Sequence, residues 1–222
     1  MILSNIDIVH DGLIVHYDMI NRTSYDRVGS IVNDLSGLGH NGTLNNGPIF
    51  TTDGGLSFDG INDSLVYQLD IPQDMTHIIF AKSNLSTWSN YNILGCSRSN
   101  NGWSVHPWIG TTDINFGFNG NLYSNSNGIR ITPSVDITTP HMYAITTNGA
   151  SSYAYINDIE YVIPNTVNRD NSTTNATIRL AEDDVPYNDR YGNITIYIHL
   201  LYNRQLSKSE MMQNYLAMKN YF

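Results

Sequence analysis

The sequence predicts an all-β fold: a jelly-roll sandwich of two antiparallel sheets with one short C-terminal helix. Three observations carry that prediction. Apolar residues recur at alternate positions in many short runs, the period of an extended strand. Gly, Asn, Asp, Ser and Thr cluster between the runs at intervals of roughly ten residues, as turns do in sandwiches and jelly rolls. Only the stretch after Ser207 changes to helical spacing.

Taken in order, a polar glycine loop from Asp34 to Gly42 leads into a short apolar run. Gly55 to Phe58 then reads as a strand, Asp59-Gly60 as a tight turn, and Ser64 to Tyr67 as a second strand. Ile114, Phe116 and Phe118 alternate with Asn115, Gly117 and Asn119, which predicts a sheet with one buried face. Tyr153–Ile156 and Ile159–Val162 flank Asn157-Asp158. Both turn residues tolerate positive φ, so a two-residue hairpin is expected. Residues 165–176 are the most polar stretch and read as a long surface loop. Ile194, Ile196, Ile198, Leu200 and Tyr202 share one face of an extended segment that is apolar enough on both faces to be central. At the end, Ser207 and Glu210 have the spacing of a capping box. Met211, Met212, Tyr215 and Leu216 follow as the apolar face of the helix.

Composition narrows the function classes. At 222 residues the chain fits a single domain, residues 1–222, long enough for a sizeable core. The net charge of -9, with only 11 Lys plus Arg, argues against nucleic-acid or anionic-membrane partners, which need clustered cations. Cys96 is alone, so no internal disulfide can form, and it reads as a small buried hydrophobe. The N-terminus lacks the basic region and continuous apolar run of a secretory signal. No segment has the ~20 apolar residues of a membrane helix.

Three segments carry a family resemblance. One is Asp34-Leu35-Ser36-Gly37-Leu38-Gly39-His40-Asn41-Gly42 with Phe58-Asp59-Gly60-Ile61-Asn62-Asp63. Another is Tyr143–Gly149 followed by Tyr153–Asp158, where Asn-Asp stands at a turn that is usually Asn-Gly in the family. The last is the strand and helix from Asn193 to Glu210. Together they resemble the laminin-G-like, concanavalin A-like lectin and glucanase superfamily. The resemblance implies the jelly-roll fold but no single function, because the fold hosts lectins, glycosidases and structural modules. Stand-alone jelly rolls of this kind and size resemble bacteriophage virion proteins. That implies a non-enzymatic virion protein, a capsid decoration or tail accessory, made in the host cytoplasm and displayed on the particle. Its partners would be other virion proteins and host-surface or environmental glycans, with homo-oligomers compatible. The alternative is a carbohydrate-binding or adhesion module of a cellular protein.

Glycoside hydrolysis needs two carboxyl groups about 5–5.5 Å apart for retention, or further apart for inversion. The resemblance implies a Glu-x-Asp-x-x-Glu strand for that purpose, and no such motif occurs. The only glutamates are Glu160, Glu182 and Glu210, and Glu210 belongs to the helix cap. No Gly-x-Ser-x-Gly elbow and no paired-histidine zinc motif is present, so no catalytic residue is assigned. Structural calcium is the ion expected, held by Asp34, Asp59 and Asp63; equally, those side chains can cap their own turns. Aromatic platforms for sugar are expected at Trp88, Tyr91 and Trp108, against the alternative that tryptophans pack the core. Trp103 follows Gly102 where the resemblance implies a core aromatic, so it is expected to be buried.

Overall fold

The computed structural model describes residues 6–88, 94–97, 102–108, 110–118, 128–164, 173–183 and 190–221. Two antiparallel sheets pack face to face. The first runs, edge to edge, β14 (Ile159–Val162), β13 (Ser152–Ile156), β12 (His141–Thr147), β7 (Met75–Ser83), β16 (Asn193–Tyr202), β5 (Leu56–Asp59) and β4 (Ile49–Phe50). β5 pairs with the first residues of β16, and β1 (Leu13–Asp18) pairs with its second half. The second sheet runs β11 (Gly128–Ile131), β10 (Ile114–Phe118), β9 (Trp103–Pro107), β8 (Gly95–Cys96), β15 (Thr173–Leu180), β6 (Ser64–Ile71), β3 (Gly42–Asn45) and β2 (Ile31–Val32). The all-β sandwich expected from the sequence is what the chain forms, with one α-helix among the described residues, α1 (Lys208–Met218). Among the described residues no helix is long and apolar enough to cross a membrane.

The alternating runs explain the core. Leu65, Tyr67, Leu69 and Ile71 of β6 point between the sheets, while Val66, Gln68 and Asp70 point outward. Phe58, Ile79, Ile145 and Ile194 meet them from the first sheet. Each large apolar side chain buried this way contributes roughly 1.5–3 kcal/mol. The Asn157 hairpin forms as expected, with Asn157 at φ 56°. Asp59-Gly60 also turns as expected: Gly60 has φ +76°, and a Cβ there would meet the Asn193 backbone at 3.2 Å.

Three local readings are corrected. A bulge in β16 separates Ile196, opposite Ala81, from Ile198, opposite Phe80. One extra residue reverses the alternation. Ile194 and Ile196 therefore face the intersheet core, but Ile198, Leu200 and Tyr202 face the other side, under α1. His199 and Leu201 take the places between the sheets. The surface loop read for residues 165–176 is cut short, because β15 begins at Thr173; the rest of it lies outside the described residues. In α1 the capping box is present, yet the buried positions are Met211, Asn214 and Met218. Asn214 turns inward because it accepts from the Val9 N–H at 2.8 Å and donates to the Tyr202 hydroxyl at 3.1 Å. Met212, Tyr215 and Leu216 are only half-buried.

Candidate functional site: a groove on the second sheet

The outward side chains of β3, β6 and β15 form a concave polar face. Register places Thr43 beside Val66, and Val66 beside Arg179; Gln68 lies beside Thr177. Because alternate residues of a strand share a face, Val66, Gln68 and Asp70 span about 13 Å along this surface. Over them lie two adjoining hollows of about 570 and 520 Å³ that share His40 and Gln68. The first has Thr43, Asn45, Val66 and Thr177 on its floor, with Asn41 on its wall. The second continues to Asp70, Asn175 and Asn203.

The wall belongs to the glycine loop, and Asp34 holds that loop in place. Its carboxylate accepts from the N–H groups of His16 and Ser36, each at 2.9 Å, from the Ser36 hydroxyl at 2.7 Å and from the His40 N–H at 3.1 Å. The Asp34 N–H donates to Asn41 Oδ1 at 2.9 Å. These bonds fix His40 and Asn41 against the groove. Gly37 and Gly39, at φ 87° and 81°, supply the left-handed backbone the loop needs.

Beneath the groove, aromatic and imidazole rings fill the core. Tyr17 donates its hydroxyl to the His40 carbonyl. The Tyr67 hydroxyl pairs with His199 Nε2 at 2.8 Å. His77 lies 5.0 Å from His199 and 5.4 Å from Trp103, centroid to centroid. Burial holds both imidazoles neutral: His77 titrates well below its usual value, and His199 is pushed down to about 3 despite the pull of Asp34. Burial likewise pushes the Tyr17 and Tyr67 phenols up. Among the described residues, neither His77 ring nitrogen has a hydrogen-bond partner.

The residues expected from the sequence fall in separate places. Asp59 accepts from the Ile61 N–H at 2.8 Å, and Asp63 accepts from the Asp59 N–H at 3.1 Å, so the two share one turn. Asp34 belongs to the glycine loop. Among the described residues no three His, Cys, Asp or Glu side chains gather as a metal site. Trp88, expected at the surface, is fully buried; it packs edge-on against Tyr143 and donates Nε1–H to the Thr112 carbonyl at 3.2 Å. The burial of a large aromatic outweighs its use as a platform here. Tyr91 lies outside the described residues. Trp108 is half-buried, with the Arg130 guanidinium 4.5 Å from its ring centroid; Arg130 Nε donates to Asp113 at 2.7 Å. Trp103 is core, as read.

The three glutamates also sit apart. Glu160 accepts from the Tyr155 hydroxyl at one edge of the first sheet. Glu182 accepts from Arg179 at 2.9 Å. Glu210 pairs with Arg204 at 2.6 Å and with its helix cap. None shares a strand face with another.

Sequence reasoning missed the groove residues His40, Asn41, Gln68 and Thr177. The polar members of Val66-Gln68-Asp70 were a signal, but only the register of β3, β6 and β15 joins them into one surface.

No family model matches the chain, and no curated protein matches it. Solved structures do. A Trypanosoma rangeli sialidase in complex with sialic acid superposes at a TM-score of 0.68 with 12% identity, over 95% of this chain and 33% of the sialidase. The binding domain of botulinum neurotoxin serotype D gives 0.67 with 14% identity, over 95% of this chain and 53% of that one. The chain thus spans about a third to a half of the structures it resembles. At these identities the likeness is one of fold.

Proposed function

We propose that this chain is a lectin-like β-sandwich that binds saccharides in the groove over β3, β6 and β15 and performs no hydrolysis. The observation that carries the reading is the groove itself: a preformed hollow floored by hydroxyl, amide and aliphatic side chains. Amides and hydroxyls exchange hydrogen bonds with sugar hydroxyls, and a largely preformed site limits the entropy lost on binding. Two neighbours of this fold support the direction: the sialidase in complex with sialic acid and a toxin's binding domain. The separated glutamates support a non-catalytic role, because an acid/base pair must flank one bond.

The setting we propose is a virion surface protein, on the head or tail, that presents this groove to host-surface or environmental glycans. The alternative is an adhesion module of a cellular protein. Display in many copies would raise the avidity of a weak site by roughly 10²–10⁴ without new contacts. Two experiments test these readings. Calorimetric titration with an oligosaccharide panel is expected to show binding that Gln68→Ala together with Thr177→Ala weakens at least about tenfold, or about 1.4 kcal/mol. Binding unchanged by that pair, with the fold intact, overturns the groove assignment. Mass spectrometry of purified virus particles is expected to find this chain, and its absence overturns the virion setting.

A further inference from the structure

We infer that the groove selects uncharged saccharides and rejects sialylated or uronate-bearing ones; this deepens, and rests on, the reading of the groove as a glycan site. Recognition of a carboxylate calls for Arg, Lys or a comparable array of donors aimed at it. Among the described residues, neither hollow is lined by Lys or Arg. On the same sheet face, Arg179 beside Val66 directs Nη1 to Glu182 Oε2 at 2.9 Å.

The local charge is negative instead. Asp70 is exposed at one end of the groove, where its Oδ1 accepts from the Asn175 N–H at 2.6 Å. The Asp34 carboxylate lies behind the wall, bonded to the His40 N–H. The whole chain carries a net charge of -9. A carboxylate entering the groove would lose hydration, meet no Lys or Arg among the described lining residues, only the His40 imidazole, and approach Asp70. Each of these disfavours binding. A neutral ring gives up weaker hydration and needs no counter-charge, and the amides and hydroxyls suit it. Likeness of fold to a protein that holds sialic acid therefore does not extend to its ligand's charge.

The test compares matched oligosaccharides that differ only in a terminal sialic acid or uronate, titrated at low and high salt. Neutral members are expected to bind with little salt dependence. Charged members are expected to bind at least about tenfold more weakly, with the gap narrowing at high salt as screening grows. Asp70→Asn, which keeps an acceptor for Asn175, is expected to narrow the gap between charged and neutral ligands severalfold. Equal or tighter binding of charged members overturns the selectivity while sparing the glycan site. Discrimination unchanged by Asp70→Asn overturns its electrostatic cause. Binding of neither class overturns the glycan reading itself.

Discussion

At the scale of single residues, Asp34 and the buried histidines set the terms. Asp34 satisfies three backbone N–H groups and one hydroxyl, so Asp34→Ala is expected to cost about 2–3 kcal/mol in urea unfolding. The loss should be equal with calcium and with chelator. A melting temperature that rises in millimolar calcium, and no longer does so in Asp34→Asn, Asp59→Asn or Asp63→Asn, would instead establish the calcium site expected at those three residues. His77 and His199 make the fold acid-sensitive. In the unfolded chain each takes a proton near pH 6.5, whereas burial holds folded His199 neutral down to about 3 and His77 well below its usual value. The unfolded state therefore binds more protons inside that window. Stability is complete above about pH 6.5 and falls as the pH drops, by about 1.4 kcal/mol per unit per histidine. Urea titrations at several pH values should show that His77→Gln flattens this slope by about one histidine's share. An unchanged slope would show that His77 does not titrate as its burial requires.

At the scale of elements, the decisive features are the β16 bulge and the docking of α1. The bulge lets one strand present Ile194 and Ile196 to the intersheet core, then Leu200 and Tyr202 to the helix. Inserting one residue between Ile198 and His199, just past the bulge, would turn His199 and Leu201 away from the core and push Leu200 and Tyr202 into it. That variant is expected not to fold, as judged by loss of cooperative unfolding. Helix α1 is pinned by Asn214 to Val9 and Tyr202. Asn214→Ala leaves a buried Val9 N–H without its acceptor, at a cost of about 1–3 kcal/mol. Limited proteolysis should then cut within the segment before β1 first, while the sandwich stays intact. The capping box was legible because Ser207 and Glu210 are three residues apart. The inward turn of Asn214 was not, because its partners lie 205 and 12 residues away in sequence.

At the scale of the whole molecule, the sandwich shields its one thiol. Cys96 is fully buried in β8, within 3.9 Å of Asp183 Oδ1. Thiol reagents are expected to label it only as fast as the protein opens, with a sharp rise across the urea transition. Rapid labelling of the native protein would mean that this part of the second sheet opens on its own.

The sequence by itself determined the class of fold, the Asp59-Gly60 and Asn157 turns and the cap at Ser207. All of these rest on residues close together in the chain: alternation, turn chemistry and capping act over two to four positions. Tertiary structure alone decided the rest. Trp88 is buried because Gly110 to Asp113 fold against it, and the Gly110 N–H reaches its carbonyl at 2.8 Å. The groove exists because β3, β6 and β15, far apart in sequence, pair in one register and turn Thr43, Gln68 and Thr177 to the same side. Register is a property of strand pairs, and a shift by one residue would send every one of those side chains to the opposite face.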